Sequence, residues 1–493
     1  MLAPGGLHGQ CPDGSAPPCP TISHHTPPPN SVAVLYFDNL TRDSSYAYIA
    51  DGLTEELISR LGQVRRLEVK SRFESRRVRG AVNASPSELG RTLNAAYILS
   101  GSVEAVSGRL RVTAELMRVR NKTRVWGDVL DGAGSDLLGA QQGIVTAVVR
   151  AVSGQLLPAE SSVLARRATN DSAAYDLYLR AWSFLNRGRT GADFQTAEDL
   201  FQQAVNRDST FALGWAGLAN AWAQIADAVL PPSEAYPYAR RAAERALALD
   251  STIAPAYNAL AATALQVDYD FPRAESLARR AVALDPGFAL GHISLAWVLI
   301  VRGKLLEALE ESRRGWQLDS LAINVFYQHF HNLMDLARYK EVVSLSPRAD
   351  LVMGPGVGTV LRLQALLAMH RCDDARAAYA KIPTPNVRPE IFFAACEGKP
   401  EHWPPALDTT AAKTLVADMG GNPQLVVGAF ALIGQPDSAF AWLERAYVRR
   451  DYWVLTVNRP IWWNGWLQAD PRFATFTRRV GLLWPVPELP PER

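Results

Sequence analysis

Four short phrases in the middle of the chain end alike: AVNRDST at Ala204–Thr210, ALALDST at Ala246–Thr252, AVALDPG at Ala281–Gly287 and GWQLDSL at Gly315–Leu321. Their aspartates, Asp208, Asp250, Asp285 and Asp319, stand 42, 35 and 34 residues apart. Each interval holds two stretches with apolar residues at helical spacing. In the third unit Tyr257, Leu260 and Ala261 mark a first helix, Ala274, Ala278 and Ala281 a second, and Pro286 closes the unit. In the fourth, Leu295, Ala296 and Leu299 lead to Ala308. Alanine at a helix crossing lets two backbones approach, and large partners fill the space beside it. The longest interval is accounted for by a longer loop, Leu230-Pro231-Pro232-Ser233. A helical hairpin of this kind cannot cover its own apolar face, so successive hairpins must stack.

A period near 34 is that of tetratricopeptide repeats. Residues 170–350 are therefore expected to form an all-α solenoid with a concave groove, which in that family receives a peptide or a partner helix. Tyr178, Asn220, Asn258 and His292, polar or aromatic positions on first helices, are the candidate groove residues. After Arg348 the period weakens, and residues 351–480 are expected to hold degenerate helical repeats and a tryptophan-rich cap. Gly354–Met369 with Asp373–Ala380 reads as one more pair. The prolines from Pro383 to Pro405 interrupt the array, and Thr410–Ala417, Pro423–Ile433 and Asp437–Arg449 read as closing helices. Trp453, Trp462, Trp463 and Trp466 are either a capping core or an exposed binding surface. Cys372 and Cys396 read as small core residues.

Residues 31–157 follow a different rule. Ser31–Phe37 is a short β-branched and aromatic run, a buried strand. Leu53, Leu57, Ile58 and Leu61 share one helical face, with Thr54, Glu55 and Glu56 read as its first turn and Gly62 as its stop. Leu67–Ser71 reads as a second strand, and Ser85-Pro86-Ser87-Glu88 as a capping box that opens a second helix. Tyr97–Val106 and Leu110–Val119 flank a glycine turn as a hairpin, then come a strand over Arg124–Leu130 and a helix over Asp136–Leu156. The expected class is α+β multidomain: a small α/β sandwich, helices on one face of a mixed sheet, followed by the solenoid.

The phrases SVAVLYFDNL, YIADGLTEELISRLGQVRRLEVKSR and LGRTLNAAYILSGSVEAVSGRLRVTAELMRVRNKTRVWGD resemble the TolB amino-terminal-like (FlgO-like) domain over nearly all of residues 31–155. In bacteria that domain often precedes tetratricopeptide repeats. It also occurs downstream of adenylate cyclase, kinase or winged-helix modules. The resemblance implies no catalytic residues, but an assembly or sensory accessory role. The C-terminal tryptophan-rich stretch is similar to the terminal segment of such proteins.

Charge and motifs narrow the chemistry. The chain of 493 residues carries a net charge of +2, which does not fit a protein that coats nucleic acid. Arg65, Arg66, Lys70, Arg72, Arg76 and Arg77 form a basic stretch: a docking patch for an acidic partner or an anionic membrane face, or a solvated loop and strand edge. Asp51, Glu55 and Glu56 read as capping and dipole-complementing carboxylates rather than an acid/base cluster. His329 and His331 stand on nearly opposite faces of one helix and read as packing residues, not metal ligands. No Walker loop, kinase glycine loop, nucleophile elbow, H-E-x-x-H or paired C-x-x-C is present. No cofactor and no metal are expected.

Residues 1–30 are rich in Pro and Gly and are expected to be disordered. They have neither the charged nor the apolar region of a complete signal peptide. Cys11 and Cys19 there are either a small disulfide loop or two incidental thiols. No run of 18 or more apolar residues occurs. An exported or periplasmic location is expected if a leader precedes Met1, and a cytoplasmic one otherwise. The expected function is a non-enzymatic scaffold that binds a protein or peptide in the groove. The alternative is the sensory half of a signalling system whose cyclase, kinase or regulator output is on another chain. Oligomeric state is left open.

Overall fold

A computed structural model describes residues 27–41, 47–79, 84–106, 109–133, 137–155, 157, 160, 168–187, 190–226, 228–320, 322–381, 393, 396, 423–432, 434–459 and 465–486. Cys11, Cys19, Thr410–Ala417, Trp462 and Trp463 lie outside them, as does the side chain of Trp466.

The N-terminal unit is a mixed sheet. Its strands are β1 (Ser31–Val34), β2 (Asp38–Asn39), β3 (Glu68–Val69), β4 (Tyr97–Val106), β5 (Arg109–Arg118) and β6 (Thr123–Ala133). The order is β3-β1-β4-β5-β6, with β2 continuing the line of β1 along β4. β3, β1 and β4 run parallel, and β4, β5 and β6 antiparallel. The helices are α1 (Ala47–Gly62), α2 (Arg72–Arg77), α3 (Pro86–Thr92) and α4 (Leu137–Ser153). Inward residues of alternate strand positions, Val32, Val34, Leu99, Val112, Ala114 and Leu116, are buried in one cluster with α1 and α4.

Four expectations are corrected here. Helices cover both faces, not one: Ala33 and Ile98 point the other way, and Leu93 at the end of α3 joins them with Val119 in a second small core. The strand expected over Leu67–Ser71 is only two residues long, because the Ser71 side chain caps α2. The second half of the basic stretch is therefore helix rather than loop. Finally, α1 begins at Ala47, so Thr54, Glu55 and Glu56 stand two turns in and no acidic residue occupies the first turn. Thr54 is fully buried there. Its hydroxyl donates to the Ala50 carbonyl (2.8 Å) and accepts from the Phe37 amide (3.0 Å), tying the helix to the link between β1 and β2.

Among the described residues seven helix pairs follow: α5 (Ser172–Arg187) with α6 (Gly191–Arg207), α7 (Ala212–Ile225) with α8 (Pro232–Leu249), and α9 (Ala254–Thr263) with α10 (Phe271–Leu284). Next come α11 (Ala289–Val301) with α12 (Leu305–Leu318), α13 (Ile323–Asp335) with α14 (Tyr339–Met353), α15 (Val357–Ala368) with α16 (Cys372–Tyr379), and α17 (Pro423–Leu432) with α18 (Pro436–Arg449). This is a helical solenoid of tetratricopeptide type beside a small mixed sheet. The repeated aspartate has a local cause. The Asp208 and Asp250 carboxylates each accept from the amide and hydroxyl of the threonine two residues on, Asp285 from the Gly287 amide, and Asp319 from the Ala322 amide. Each turns the chain from one pair into the next. The small residues have a packing cause. A Cβ on Gly217 of α7 would stand 2.2 Å from the Phe201 ring of α6, so only glycine lets these helices cross.

Cys396 lies in the core with Cys372 packed against it, and the two form a disulfide that ties the first residue of α16 to a position 24 residues on. The chain then returns on itself. After α18 come a 3-10 turn (Tyr452–Thr456), α19 (Gly465–Ala469) and α20 (Pro471–Val480). α19 packs on α17, while α18 reaches back to α8 and the 3-10 turn to α11. Trp453 is buried. The described C-terminal elements thus pack on the last pair, and α18 and the 3-10 turn reach back to pairs two and four.

Candidate partner-binding face

From pair one to pair five the first helix of each pair packs against the first helix of the next, and α5 of pair one also meets α13 of pair five. First helices therefore line the inside of a tight curl. Two aromatic residues on those meeting helices stay exposed, Phe184 on α5 (38%) and Tyr327 on α13 (42%).

All four candidate groove residues are buried. Tyr178 on α5 packs its ring among Trp182, Phe201 and Phe211, at 5.2–6.3 Å between centroids. Asn220 donates to the Ala216 carbonyl of its own helix (2.7 Å). Asn258 keeps a buried Oδ1 without a hydrogen-bond partner. The ring nitrogens of His292 face the Glu311 carboxylate (2.6 Å) and the Pro286 carbonyl (3.0 Å), locking α11 to α12 and to the preceding turn. That placement leaves the four little surface to offer a partner. Phe184 and Tyr327 were passed over in the sequence because nothing local distinguishes an exposed aromatic on an inner helix from a core one.

His329 and His331 face different neighbours. The His329 ring stacks on Trp316 (5.0 Å) with Nδ1 at 2.8 Å from the Ser312 hydroxyl, and burial pushes its pKa down to about 4. His331 lies against Tyr327, Phe330 and Tyr452, and burial pushes it down to about 4 as well. Among the described residues no group of three or more His, Cys, Asp or Glu side chains converges as a metal site would require. Close by, burial pushes the Asp335 carboxyl up to about 7, against the pull of Arg459. Arg459 is itself buried and donates to the Ile300 carbonyl.

The basic stretch is spent mostly inside the molecule. Arg66 pairs with Glu160 (2.6 Å) and donates to the carbonyls of Ser153 and Gln155. Lys70 pairs with Glu68 (2.8 Å), and Arg72 with Glu55 (3.4 Å). Arg76 donates to the Tyr36 hydroxyl (2.9 Å) and the Glu55 carboxylate (2.8 Å) and reaches Asp319 of the solenoid at 3.9 Å. Arg79 pairs with Asp51 (2.6 Å) over the Tyr36 ring. Arg65 is exposed, and the Arg77 side chain is outside the described residues. The carboxylates read as caps are ion-pair partners in two cases. The third, Glu56, is raised in pKa by burial, with Arg60 and Gln141 opposing the rise.

The two units share one apolar core, which runs from Val32 of the sheet to Leu260 of pair three. Polar groups ring it. Tyr48 of α1 donates to Asp176 of α5 (2.5 Å), and Tyr175 of α5 donates to Gln141 of α4 (3.3 Å).

No family model matches the chain. Over 160 residues it is 31% identical to "Putative adenylate cyclase 3" of Rhizobium meliloti (strain 1021). That stretch is 31% of this chain and 27% of the relative, so the chain spans about a quarter of the curated relative it matches. Among solved structures it is similar to MamA, at 17% identity and a TM-score of 0.23, over 38% of this chain and 92% of that one. It is also similar to a tetratricopeptide repeat protein from Parabacteroides merdae, at 12% identity and a TM-score of 0.33, over 53% and 99%. Among the described residues no helix is long and apolar enough to cross a membrane.

Proposed function

We propose that the protein is a non-enzymatic scaffold whose solenoid binds a segment of another protein, with the N-terminal unit, TolB amino-terminal-like in sequence, as its organising accessory. The observation that carries this reading is the inner face of the curl. First helices line it, and the aromatics Phe184 and Tyr327 are exposed on α5 and α13, two helices that meet. Exposed aromatic anchors suit an extended or helical peptide. The buried Tyr178, Asn220, Asn258 and His292 would then shape this face from behind. The test is affinity capture with the wild-type chain and with Tyr327→Ala and Phe184→Ala variants. A specific protein held by the wild type and lost at least tenfold by both folded variants supports the reading. A partner indifferent to both, or turnover of a nucleotide by the purified chain, ends it.

The match to the Rhizobium protein favours a second reading, in which the scaffold is the sensory half of a signalling system and its partner carries the output. Co-purification with a cyclase, kinase or regulator separates the two. The Cys372–Cys396 bridge supports an exported location, because disulfides persist in oxidising compartments.

A further inference from the structure

We propose that the N-terminal α/β unit is a clasp that sets how tightly the solenoid curls, and that the Arg76–Asp319 pair is its catch. The unit touches two places that are far apart along the stack. Its α1 packs on α5 of pair one, where Leu179 fills the space over Gly52, and Tyr48 bonds Asp176. Its α2 packs on α12 of pair four, where Arg76 meets Asp319. One rigid unit therefore bridges pairs one and four.

Helical solenoids are held only by nearest-neighbour contacts, so their curvature changes with small rotations at each seam. The α/β unit adds a bridge across three seams to the contacts that α18 and the 3-10 turn make with pairs two and four. The meeting of α5 with α13, which narrows the inner face, is what such a bridge would enforce. The two contacts differ in kind. The one at α5 is continuous with the shared apolar core, whereas the one at α12 is a small polar contact. Opening should therefore start at α12 and hinge about α5. The Asp319 side chain is nearly buried and that of Arg76 about one-fifth exposed. Arg76 is also held by Glu55 and the Tyr36 hydroxyl of its own unit, so loss of the 3.9 Å pair loosens the α12 contact while Arg76 stays in place. Asp285 lies along the same edge, one repeat earlier.

The clasp acquires a regulatory meaning from the scaffold reading, since a partner entering the inner face needs the curl to widen. Its test needs no partner. Donor and acceptor dyes go on exposed positions of the full chain, 203 on α6 and 344 on α14, through non-natural amino acids that leave the disulfide intact. The variants are Asp319→Asn, which keeps an acceptor for the Ala322 amide, and Arg76→Gln. Each should raise the population with the longer dye separation about threefold, the order expected for a partly exposed ion pair. The double variant should open no further than the more open single one, because the two residues act as a pair. Folded variants that stay closed, or a double variant whose effects simply add, overturn the clasp.

Hydrogen exchange on the wild type decides the matter even if a variant fails to fold. Amides of α2 and of the α12 end should exchange together, well ahead of β4 and β5. Exchange of all of them only through global unfolding overturns the proposal. A curl that does not respond leaves the scaffold standing, whereas a failed capture experiment leaves the clasp standing.

Discussion

Two kinds of seam hold this molecule together, and they are built from opposite chemistry. Between helix pairs the seam is apolar and close: Gly217 of pair two admits the Phe201 ring of pair one. Around the α/β unit an apolar centre is ringed by Tyr48–Asp176, Tyr175–Gln141 and Arg76–Asp319. Dispersion and burial are non-directional, so the first kind supplies cohesion. A buried polar contact contributes little net stability, but its loss is costly, so the second kind fixes where the unit sits.

The widest gap between the seams should appear when the apolar one is emptied. Phe201 is fully buried, in the core shared by the sheet and pairs one to three. Phe201→Ala should destabilise the chain by about 4 kcal/mol, transfer and cavity terms together. Chemical denaturation followed by circular dichroism measures it. Because the core is shared, sheet and first pairs should unfold in one transition; two separated transitions would show that the seam is weaker than its burial implies.

Acid reaches the solenoid through His329. The folded His329 value of about 4 lies below the ordinary value near 6.5, so between those pH values the native chain holds fewer protons than the unfolded one. Its contribution, on the order of 3 kcal/mol, is fully present above pH 6.5 and is lost as pH falls toward 4. Asp335 works the other way. Its value of about 7 means stability declines as pH rises from about 4 to 7. His329→Gln should flatten the acid limb of a melting-temperature profile, and Asp335→Asn the neutral limb. A profile unchanged by His329→Gln would mean that the ring is not held neutral.

Reduction probes the far end of the stack. A disulfide closing about 25 residues restricts the unfolded chain by about 3 kcal/mol in the loop-entropy account. Cys372→Ser should lower protection in α15 and α16 while leaving pairs one to three unchanged, as read by hydrogen exchange.

What could be read beforehand followed from range along the chain. The aspartate turns, the small residues at crossings and the Ser85–Glu88 box are local chemistry, with donor and acceptor a few residues apart. The same logic should have found α2, since Ser71-Arg72-Phe73-Glu74 is a second capping box, but the run of positive charge drew the reading toward a loop. The first turn of α1 is hidden because Ala47, Tyr48 and Ile49 carry no capping signature, and the acidic Glu55 and Glu56 two turns in imitate one. No local pattern announces the Arg76–Asp319 contact or the Cys372–Cys396 bridge. Nor does the sequence say that Tyr178, Asn220, Asn258 and His292 turn into the packing rather than toward the inside of the curl. Those facts depend on how far each pair rotates on the last.

The two capping boxes offer the finest separation of the seams. Ser71–Glu74 and Ser85–Glu88 are chemically alike, each serine accepting from the amide three residues on while the glutamate answers the serine's own amide. Ser71→Ala and Ser85→Ala should each cost about 1 kcal/mol in global stability. They differ in what the helix touches. α3 lies over the second face of the sheet, by Leu93 and Ile98, whereas α2 reaches α12 across the polar seam. Only Ser71→Ala should therefore speed hydrogen exchange at the end of α12, around Asp319, although both variants melt alike. Equal exchange there in the two variants would mean that α2 rests on the solenoid without holding it.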